Sequence, residues 1–363
     1  MKIKKLRLKN YRNISDITLD FKKEKTLIIG KNAQGKTNIL ESIYLLSTLK
    51  SQRTYTTTDF VNFGENSFNI NANIKKNTDI EIEYNFENGK KELKANRLKT
   101  NPAEFKSILK TVLFSTQDLM LLRGSPEDRR NWLDLAILQI YPTYTDRLSK
   151  YNKIRMQKNN FLKNYDGNKT LLEVYNEQLA ILGTNIICLR KKFLKEIESL
   201  TKQKHSNISQ HEDLTVKYNC TFLEDGDFSA EVILEKFKQK QQDRTELELI
   251  KRQTLVGPHK DDINFFINGN DATKFASQGQ QRTVVLALKL AELDIVSDKI
   301  GDNPVLLLDD VLAELDDVRQ NYLLKSIEKG IQTIITSVDT LLFDEKFLKK
   351  VQIFKIDNGN IID

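Results

Sequence analysis

Hydrophobic and polar positions change period several times along this chain, and each change marks an element. Residues 2–8 and 17–21 alternate, with Ile17, Leu19 and Phe21 set against Thr18 and Asp20, which predicts two strands joined through Tyr11-Arg12-Asn13. Thr26-Leu27-Ile28-Ile29 is a short apolar run of β type. It gives way to a glycine-bearing loop and then to a helical pattern, with apolar residues at 39, 40, 43, 44 and 46. Thr54 to Thr58 reads as a polar, threonine-rich loop. Phe68, Ile70, Ala72 and Ile74 alternate, as do Ile80, Ile82, Tyr84 and Phe86, and Asn88-Gly89 supplies a type I′ hairpin turn. The expected first lobe is antiparallel β wrapped around one helix.

Val112-Leu113-Phe114-Ser115 reads as another strand, which Thr116-Gln117-Asp118-Leu119 leaves. Ser125 as N-cap, Pro126 in the first turn and acids at 127 and 128 then open a helix. From about 127 to 205 the pattern is helical, with a break at Asp166-Gly167-Asn168. Its apolar spacing suits helices packed on one another and does not sustain heptads. Short strand-like pieces occupy 206–230, and a further helix runs from about 229 to 243. Ile263, Phe265 and Ile267 form a strand into the turn Asn268-Gly269-Asn270. A long helix opens at Ser277-Gln278-Gly279-Gln280-Gln281-Arg282-Thr283. Val305-Leu306-Leu307-Leu308 is a fully buried strand ending in Asp309-Asp310, 331–337 is a second, and a hairpin turn falls at 357–360.

Composition narrows the class without naming a function. The 363 residues, 39% hydrophobic and 29% charged, describe a globular chain large enough for two units. No apolar run approaches the ~18 residues of a membrane span. Cys188 and Cys220 are too few for a disulfide framework or a zinc site, which fits a reducing cytoplasm. A net charge of +7 permits a polyanionic partner without demanding one.

The chemistry begins in the glycine-bearing loop. Gly30-Lys31-Asn32-Ala33-Gln34-Gly35-Lys36-Thr37 fits the spacing Gly-x-x-x-x-Gly-Lys-Thr residue for residue, between a strand and a helix. The loop's N–H groups and the helix N-terminus suit a triphosphate, so residues 30–38, through Asn38, are expected nucleotide contacts. Lys36 is expected to reach the β- and γ-phosphates, and the Thr37 hydroxyl to take a position on Mg²⁺. The apolar strand ending in two carboxylates is the second half of such a site. Asp309 is placed to hold Mg²⁺, and Asp310 to polarise the attacking water as general base. ATP and Mg²⁺ are the expected cofactors.

Ser277-Gln278-Gly279-Gln280 resembles the signature loop of the ABC ATPase superfamily, and Glu314-Leu315-Asp316 sits where that superfamily has its D-loop. A serine hydroxyl and exposed N–H groups at a helix N-terminus form a second phosphate cradle. In that superfamily it faces the γ-phosphate of the opposite subunit, which adds Ser277 to Lys36 and Asp310 as a catalytic candidate. The details narrow further. Gly35-Lys36-Thr37-Asn38-Ile39-Leu40-Glu41, Val112-Leu113-Phe114-Ser115, and Gly124-Ser125-Pro126 with Arg129-Arg130 resemble the RecF family. So do Gly257-Pro258-His259-Lys260-Asp261-Asp262, the run from Ser277 to Thr283, and Leu308-Asp309-Asp310-Val311 with Glu314-Leu315-Asp316.

The resemblance implies an α/β fold of the ABC-ATPase head type, similar to the structural-maintenance-of-chromosomes heads. A mixed sheet would surround the P-loop helix, split between N- and C-terminal segments, with an inserted helical second domain. The expected division is 1–125, an insert at 126–248, and a closing lobe at 249–363. Arg12, Asn13 and Gln117 join the expected nucleotide contacts. Family members are bacterial recombination mediators working at single-strand gaps. The resemblance therefore implies a weak, DNA-stimulated ATPase, an ATP-dependent homodimer, and binding of double-stranded DNA and junctions. It also implies cooperation with RecR and RecO in loading RecA.

Some positions depart from the family pattern. Ala33 stands where much of the family has glycine, and its Cβ is tolerable only if φ stays negative. Thr116-Gln117 replaces Pro-Glu, leaving Gln117 or Asp118 as the γ-phosphate-sensing candidate. Lys260 replaces arginine and loses a bidentate fork. His259 reads either as a nucleotide sensor or as a structural residue beside Pro258. The DNA-facing candidates are Lys4, Lys5, Arg7, Lys191 and Lys192. A transporter's ATPase subunit would need a His after the strand that follows the carboxylates. His205, His211 and His259 all lie upstream, and Thr336-Ser337 stands there instead. A nucleotide-gated clamp with little hydrolysis is the other alternative, since Asp310 is a shorter base than the usual Glu.

Overall fold

In the computed structural model, which describes residues 1–54, 56–224, 226–327 and 330–362, alternation at the N-terminus produces β1 (Lys2–Tyr11) and β2 (Ile14–Asp20). Then come β3 (Lys25–Ile29), α1 (Lys36–Thr48), β4 (Ser67–Lys75), β5 (Asp79–Glu87), β6 (Lys90–Ala95) and β7 (Leu98–Lys99). A short α2 (Pro102–Ile108) leads into β8 (Thr111–Ser115). Thr57–Phe60 forms a 3-10 turn; Tyr55, within the expected threonine-rich loop, lies outside the described residues.

The second stretch carries α3 (Pro126–Ile140), α4 (Pro142–Lys163), α5 (Lys169–Ile208), β9 (Leu214–Asn219) and α6 (Ala230–Lys251). It continues through β10 (Asp262–Ile267), β11 (Asn270–Asp271), α7 (Ala272–Phe275) and the long α8 (Gln278–Ile300). The last stretch holds β12 (Val305–Asp309), α9 (Asp317–Ser326), β13 (Thr333–Ser337), α10 (Glu345–Leu348), β14 (Gln352–Asp357) and β15 (Asn360–Ile362). By packing the chain divides into residues 1–119 with 285–363, and residues 120–284.

The first unit holds two six-stranded sheets. One is antiparallel, in the order β2-β1-β4-β5-β6-β7; the other runs β15-β14-β3-β13-β12-β8, parallel except at β15. The expectation that β3 shares a lobe of antiparallel β is corrected here, because β3 pairs with β13 and β14 in the parallel sheet. Thr26, Leu27 and Ile28 are all fully buried, the unbroken burial of a central parallel strand rather than the one-sided burial of a hairpin strand. Helix α1 is buried from Ile39 through Thr48. One core joins Leu6, Leu8, Ile70 and Ile82 of the antiparallel sheet to Ile39, Ile43 and Leu46 of α1 and to Val305, Leu307 and Ile334 of the parallel sheet.

The second unit is mainly helical and also holds a three-stranded sheet, β11-β10-β9. The helical pattern breaks at Tyr141-Pro142 as well as at the expected Gly167, because proline fits the first position of a new helix, where no N–H is required. The packing moves the expected limit at 248. Strand β10 pairs along its whole length with β9, so residues 249–284 group with the insert rather than with the closing lobe.

Family-like motifs meet inside this unit. Arg129 forks onto Asp262 at 2.8 and 2.9 Å, and Arg190 forks onto Asp134 at 2.9 Å while donating to the Pro258 carbonyl at 2.6 Å. Buried charges survive only when matched in this way. No helix among the described residues is long and apolar enough to cross a membrane.

Candidate nucleotide site

Parallel pairing brings the carboxyl ends of four strands side by side, with Ile29 opposite Ser337 and Asp309 opposite Ser115. In open α/β sheets, ligands bind outside such ends. Between β3 and α1 the loop turns through Gly35 at φ 111°. At Gly30 an added Cβ would lie 2.3 Å from the Ile356 carbonyl oxygen, so glycine is required there by close approach. Lys36 is 4% exposed, and its ammonium donates to the carbonyls of Gly30 at 2.7 Å and Lys31 at 3.1 Å. Gly35 gives α1 no side-chain cap, and no acid stands in the first turn. The positive end of the helix is therefore open to an anion.

Across the cleft, the Thr37 hydroxyl donates to Asp309 Oδ1 at 3.0 Å, and the Thr336 hydroxyl donates to the same oxygen at 2.9 Å. Burial pushes the Asp309 carboxyl above its ordinary range. The two hydroxyls pull it back, the neighbouring Asp310 raises it further, and Arg53 lowers it. Asp310 sits in the left-handed region at φ 51°, with its N–H donating to Thr336 Oγ1 at 2.9 Å. Thr336, at the place where a transporter would carry histidine, thus ties the two acidic residues together.

Asn13, Asn32, Ala33, Gln34, Gly35, Lys36, Thr37, Asn38, Gln117, Asp309 and Asp310 all line this cleft. Gly30 and Lys31 contribute through the carbonyls that hold Lys36. Arg12 stands behind the lining, bonded to Glu41, which lines the cleft. Its guanidinium forks onto Glu41 at 2.9 and 2.8 Å, donates to the Asp59 carbonyl at 2.9 Å and lies 5.0 Å from the Phe60 ring centroid. Of the two sensor candidates, Gln117 is exposed in the cleft. Asp118 is buried, accepting from the Ser115 N–H at 2.7 Å and facing Lys289 at 3.7 Å.

Two lining residues have no motif to announce them. Gln52 accepts from the Ser115 hydroxyl at 3.1 Å, and Arg53 donates to Asn38 Oδ1 at 2.7 Å. They follow α1 in a polar run whose spacing resembles any loop.

The condition set for Ala33 is not met, for its φ is 65°. An L-residue in this conformation is strained by about 1 kcal/mol. Ala33→Gly should therefore stabilise the protein by about 0.5–1 kcal/mol, read as a higher urea midpoint at unchanged slope. A lower midpoint would show that the loop carries no such strain.

The residues expected to form a second cradle lie in the other unit. Ser277 and Gln278 are exposed. The Ser277 N–H donates to Gln280 Oε1 at 2.8 Å and the Gln280 N–H donates to Ser277 Oγ at 3.2 Å, a reciprocal cap on α8 that leaves Gly279 in its first turn. In the first unit, Glu314 ends a 3-10 turn and Asp316 caps α9 by accepting from the Arg319 N–H at 2.9 Å. His259 takes the structural reading. Its Nδ1 lies 2.7 Å from the Tyr151 hydroxyl and its Nε2 lies 3.1 Å from the Thr254 carbonyl. Burial pushes its pKa down to about 3, which keeps the ring neutral. Among the DNA-facing candidates, Arg7 pairs with Asp16 at 2.7 Å and Lys191 donates to the Gly226 carbonyl at 2.6 Å. Lys192 lies 5.8 Å from the Tyr141 ring centroid, while Lys4 and Lys5 are exposed.

Comparison with known proteins bears on the family and the fold. The family model described as RecF/RecN/SMC N terminal domain matches residues 2–361. The DNA replication and repair protein RecF of Natranaerobius thermophilus is 40% identical over 380 residues, covering 100% of this chain and 98% of that relative. The RecF of Bacillus subtilis is 36% identical over 369 residues, covering 100% of both. A solved structure of the recombination mediator protein RecF with ATP in the RecFOR pathway superposes with a TM-score of 0.92 at 34% identity. It covers 99% of this chain and 96% of that one. An Smc head bound to the C-winged helix domain of ScpA matches with a TM-score of 0.58 at 14% identity, a likeness of fold alone. The fold is accordingly the ABC-type ATPase head shared by these proteins, with a helical insert. Matched by the family model from its second residue to its third-last, and end to end by relatives at 36–40% identity, the chain belongs to the RecF family.

Proposed function

We propose that the chain is a slow ATPase of recombinational repair. In this reading it binds ATP with Mg²⁺, dimerises on ATP to hold double-stranded DNA at single-strand gaps, and with RecR and RecO promotes RecA loading in the cytoplasm. The observation that carries the nucleotide part is the joining of the two half-sites, with the Thr37 hydroxyl of the loop on the Asp309 carboxylate of β12 at 3.0 Å. Every candidate ligand at that point is a hydroxyl or carboxylate oxygen, the donor set that suits a hard cation. Bound there, Mg²⁺ would neutralise phosphate charge. Lys36 would meet the β- and γ-phosphates from the loop side, and Gln117 would read the γ-phosphate. Asp310, lining the same cleft, would accept the proton of the attacking water. The RecFOR pathway named for the solved relative supports the partners proposed, and the free thiols Cys188 and Cys220 fit the compartment.

The test is duplex binding followed by sedimentation with ATP, with ADP and without nucleotide, across a salt series. Nothing in the sequence resembles a base-reading helix, so association should be phosphate-driven. The log of affinity should fall with the log of salt by about 0.9 for each phosphate contacted, and sequence should matter little. A flat salt response, a strong consensus site, or equal binding with ADP would contradict the reading.

A further inference from the structure

The phosphate loop has an outer wall that the nucleotide chemistry does not use. Strand β14 lies parallel to β3, pairing Gln352 with Thr26 through Lys355 with Ile29, so the two strands leave the sheet together. One leads into the phosphate loop and the other into the turn Asn358-Gly359. The turn folds back onto the loop at Gln34. The Gly359 N–H donates to the Gln34 carbonyl at 2.9 Å, and the Asn358 N–H donates to Gln34 Oε1 at 2.5 Å. Backbone and side chain of one loop residue are thus both held by the same turn.

The fit leaves no slack. Gly359 has φ 76°, and a Cβ placed on it would lie 2.6 Å from the carbonyl oxygen of Asn13, a residue that itself lines the cleft. Upstream, the Ile356 carbonyl oxygen would lie 2.3 Å from a Cβ on Gly30, where the phosphate loop begins. Gly30 is required by the approach of β14 to the phosphate loop, and Gly359 by the approach of its turn to the β1–β2 connection at Asn13. Gln34 sits next to Ala33, whose strained φ of 65° needs an external contact to hold it.

We propose that the β14–β15 turn is a positioning element for the nucleotide site: it clamps Gln34 and so presets the phosphate-binding form of the loop. The proposal rests on the nucleotide reading of the cleft. Its physical content is preorganisation. A loop already held in shape gives up less conformational freedom when a triphosphate arrives, so the clamp acts on affinity rather than on the chemical step. Asn358 and Gly359 touch neither reacting atoms nor, on this reading, the ligand.

The experiment compares wild type, Gly359→Ala, Gln34→Ala and the double variant by calorimetric titration with Mg–ATP, with steady-state hydrolysis and thermal unfolding alongside. Gly359→Ala adds a methyl group where the Asn13 carbonyl leaves no room, and should raise the ATP Kd roughly tenfold. Its kcat at saturating ATP should stay within about twofold of wild type. Gln34→Ala removes the acceptor of the Asn358 bond together with the 3.4 Å bond from Gln34 Nε2 to the Asn32 carbonyl, and should raise the Kd several-fold. The double variant should be no weaker than Gly359→Ala alone, since both changes break one clamp.

A purely structural glycine would lower the unfolding temperature without this affinity change or this non-additivity. Wild-type affinity in Gly359→Ala, or fully additive effects in the double variant, would overturn the proposal. Should Gly359→Ala fail to fold, a wild-type Kd in Gln34→Ala would overturn it as well. A wild-type protein that binds no ATP overturns instead the nucleotide reading on which the clamp depends.

Discussion

Lys36→Met should yield a folded protein that no longer holds ATP at practical concentrations. Met keeps most of the length of the lysine stem, so the nearly buried position stays filled and repacks at small cost. What is lost is the ammonium. It bonds to the Gly30 and Lys31 carbonyls at 2.7 and 3.1 Å, a compact three-donor head cradled by the loop that would meet the phosphates. Loss of that charge should weaken ATP binding at least about a hundredfold, about 3 kcal/mol. The two broken carbonyl bonds should cost about 2 kcal/mol of stability, which a 363-residue chain tolerates. Lys36→Arg makes a sharper comparison. A planar fork does not fit where a point charge sits between two carbonyls, so binding should partly survive while hydrolysis is lost. Filter binding and calorimetry read both variants, and unchanged affinity in Lys36→Met would remove the central claim about this cleft.

How much of this was legible in the sequence depends on how local the signal is. The loop from Gly30 to Thr37 is a contiguous spacing, and the run Leu306-Leu307-Leu308 ending in carboxylates is another, so both half-sites could be placed before any fold was known. Their meeting was inferable only as a pairing of motifs, since the contact of Thr37 with Asp309 spans 272 residues. Gln52 and Arg53 escaped because a polar stretch after a helix looks the same whether it faces solvent or a ligand. Strand β3 was assigned to the wrong neighbours for a related reason. A short apolar run carries no record of its partners, and those partners, β13 and β14, arrive some three hundred residues later. The insert's limit failed at 248 because β10 shows the alternation of any half-buried strand, and only its register with β9 assigns it to the insert. His259 was open in sequence because burial decides it, and burial belongs to the fold.

The two phosphate cradles give the last and most demanding prediction. If Ser277-Gln278-Gly279-Gln280 completes the site of a second copy, the chain should be monomeric or weakly associated alone, dimeric with ATP, and unchanged by ADP. Two substitutions separate binding from closure. Ser277 is exposed, and its hydroxyl caps α8 by accepting from the Gln280 N–H at 3.2 Å, so Ser277→Arg should cost about 1 kcal/mol of local helix stability. The loop at Lys36 should bind ATP as before, while bulk and charge at the second cradle block the dimer and, with it, hydrolysis. Asp310→Asn should do the reverse. The residue stands at φ 51°, a conformation that asparagine tolerates as well as aspartate does, and its N–H bond to Thr336 is made by the backbone, so the site should keep its shape. Without the carboxylate, hydrolysis should fall by a factor of about 10²–10⁴, and ATP should trap a long-lived dimer. Light scattering with ATP and with ADP reads both variants. An Asp310→Asn protein that stays monomeric at saturating ATP would rule out a site shared between two copies. So would a Ser277→Arg protein that dimerises and hydrolyses like the wild type.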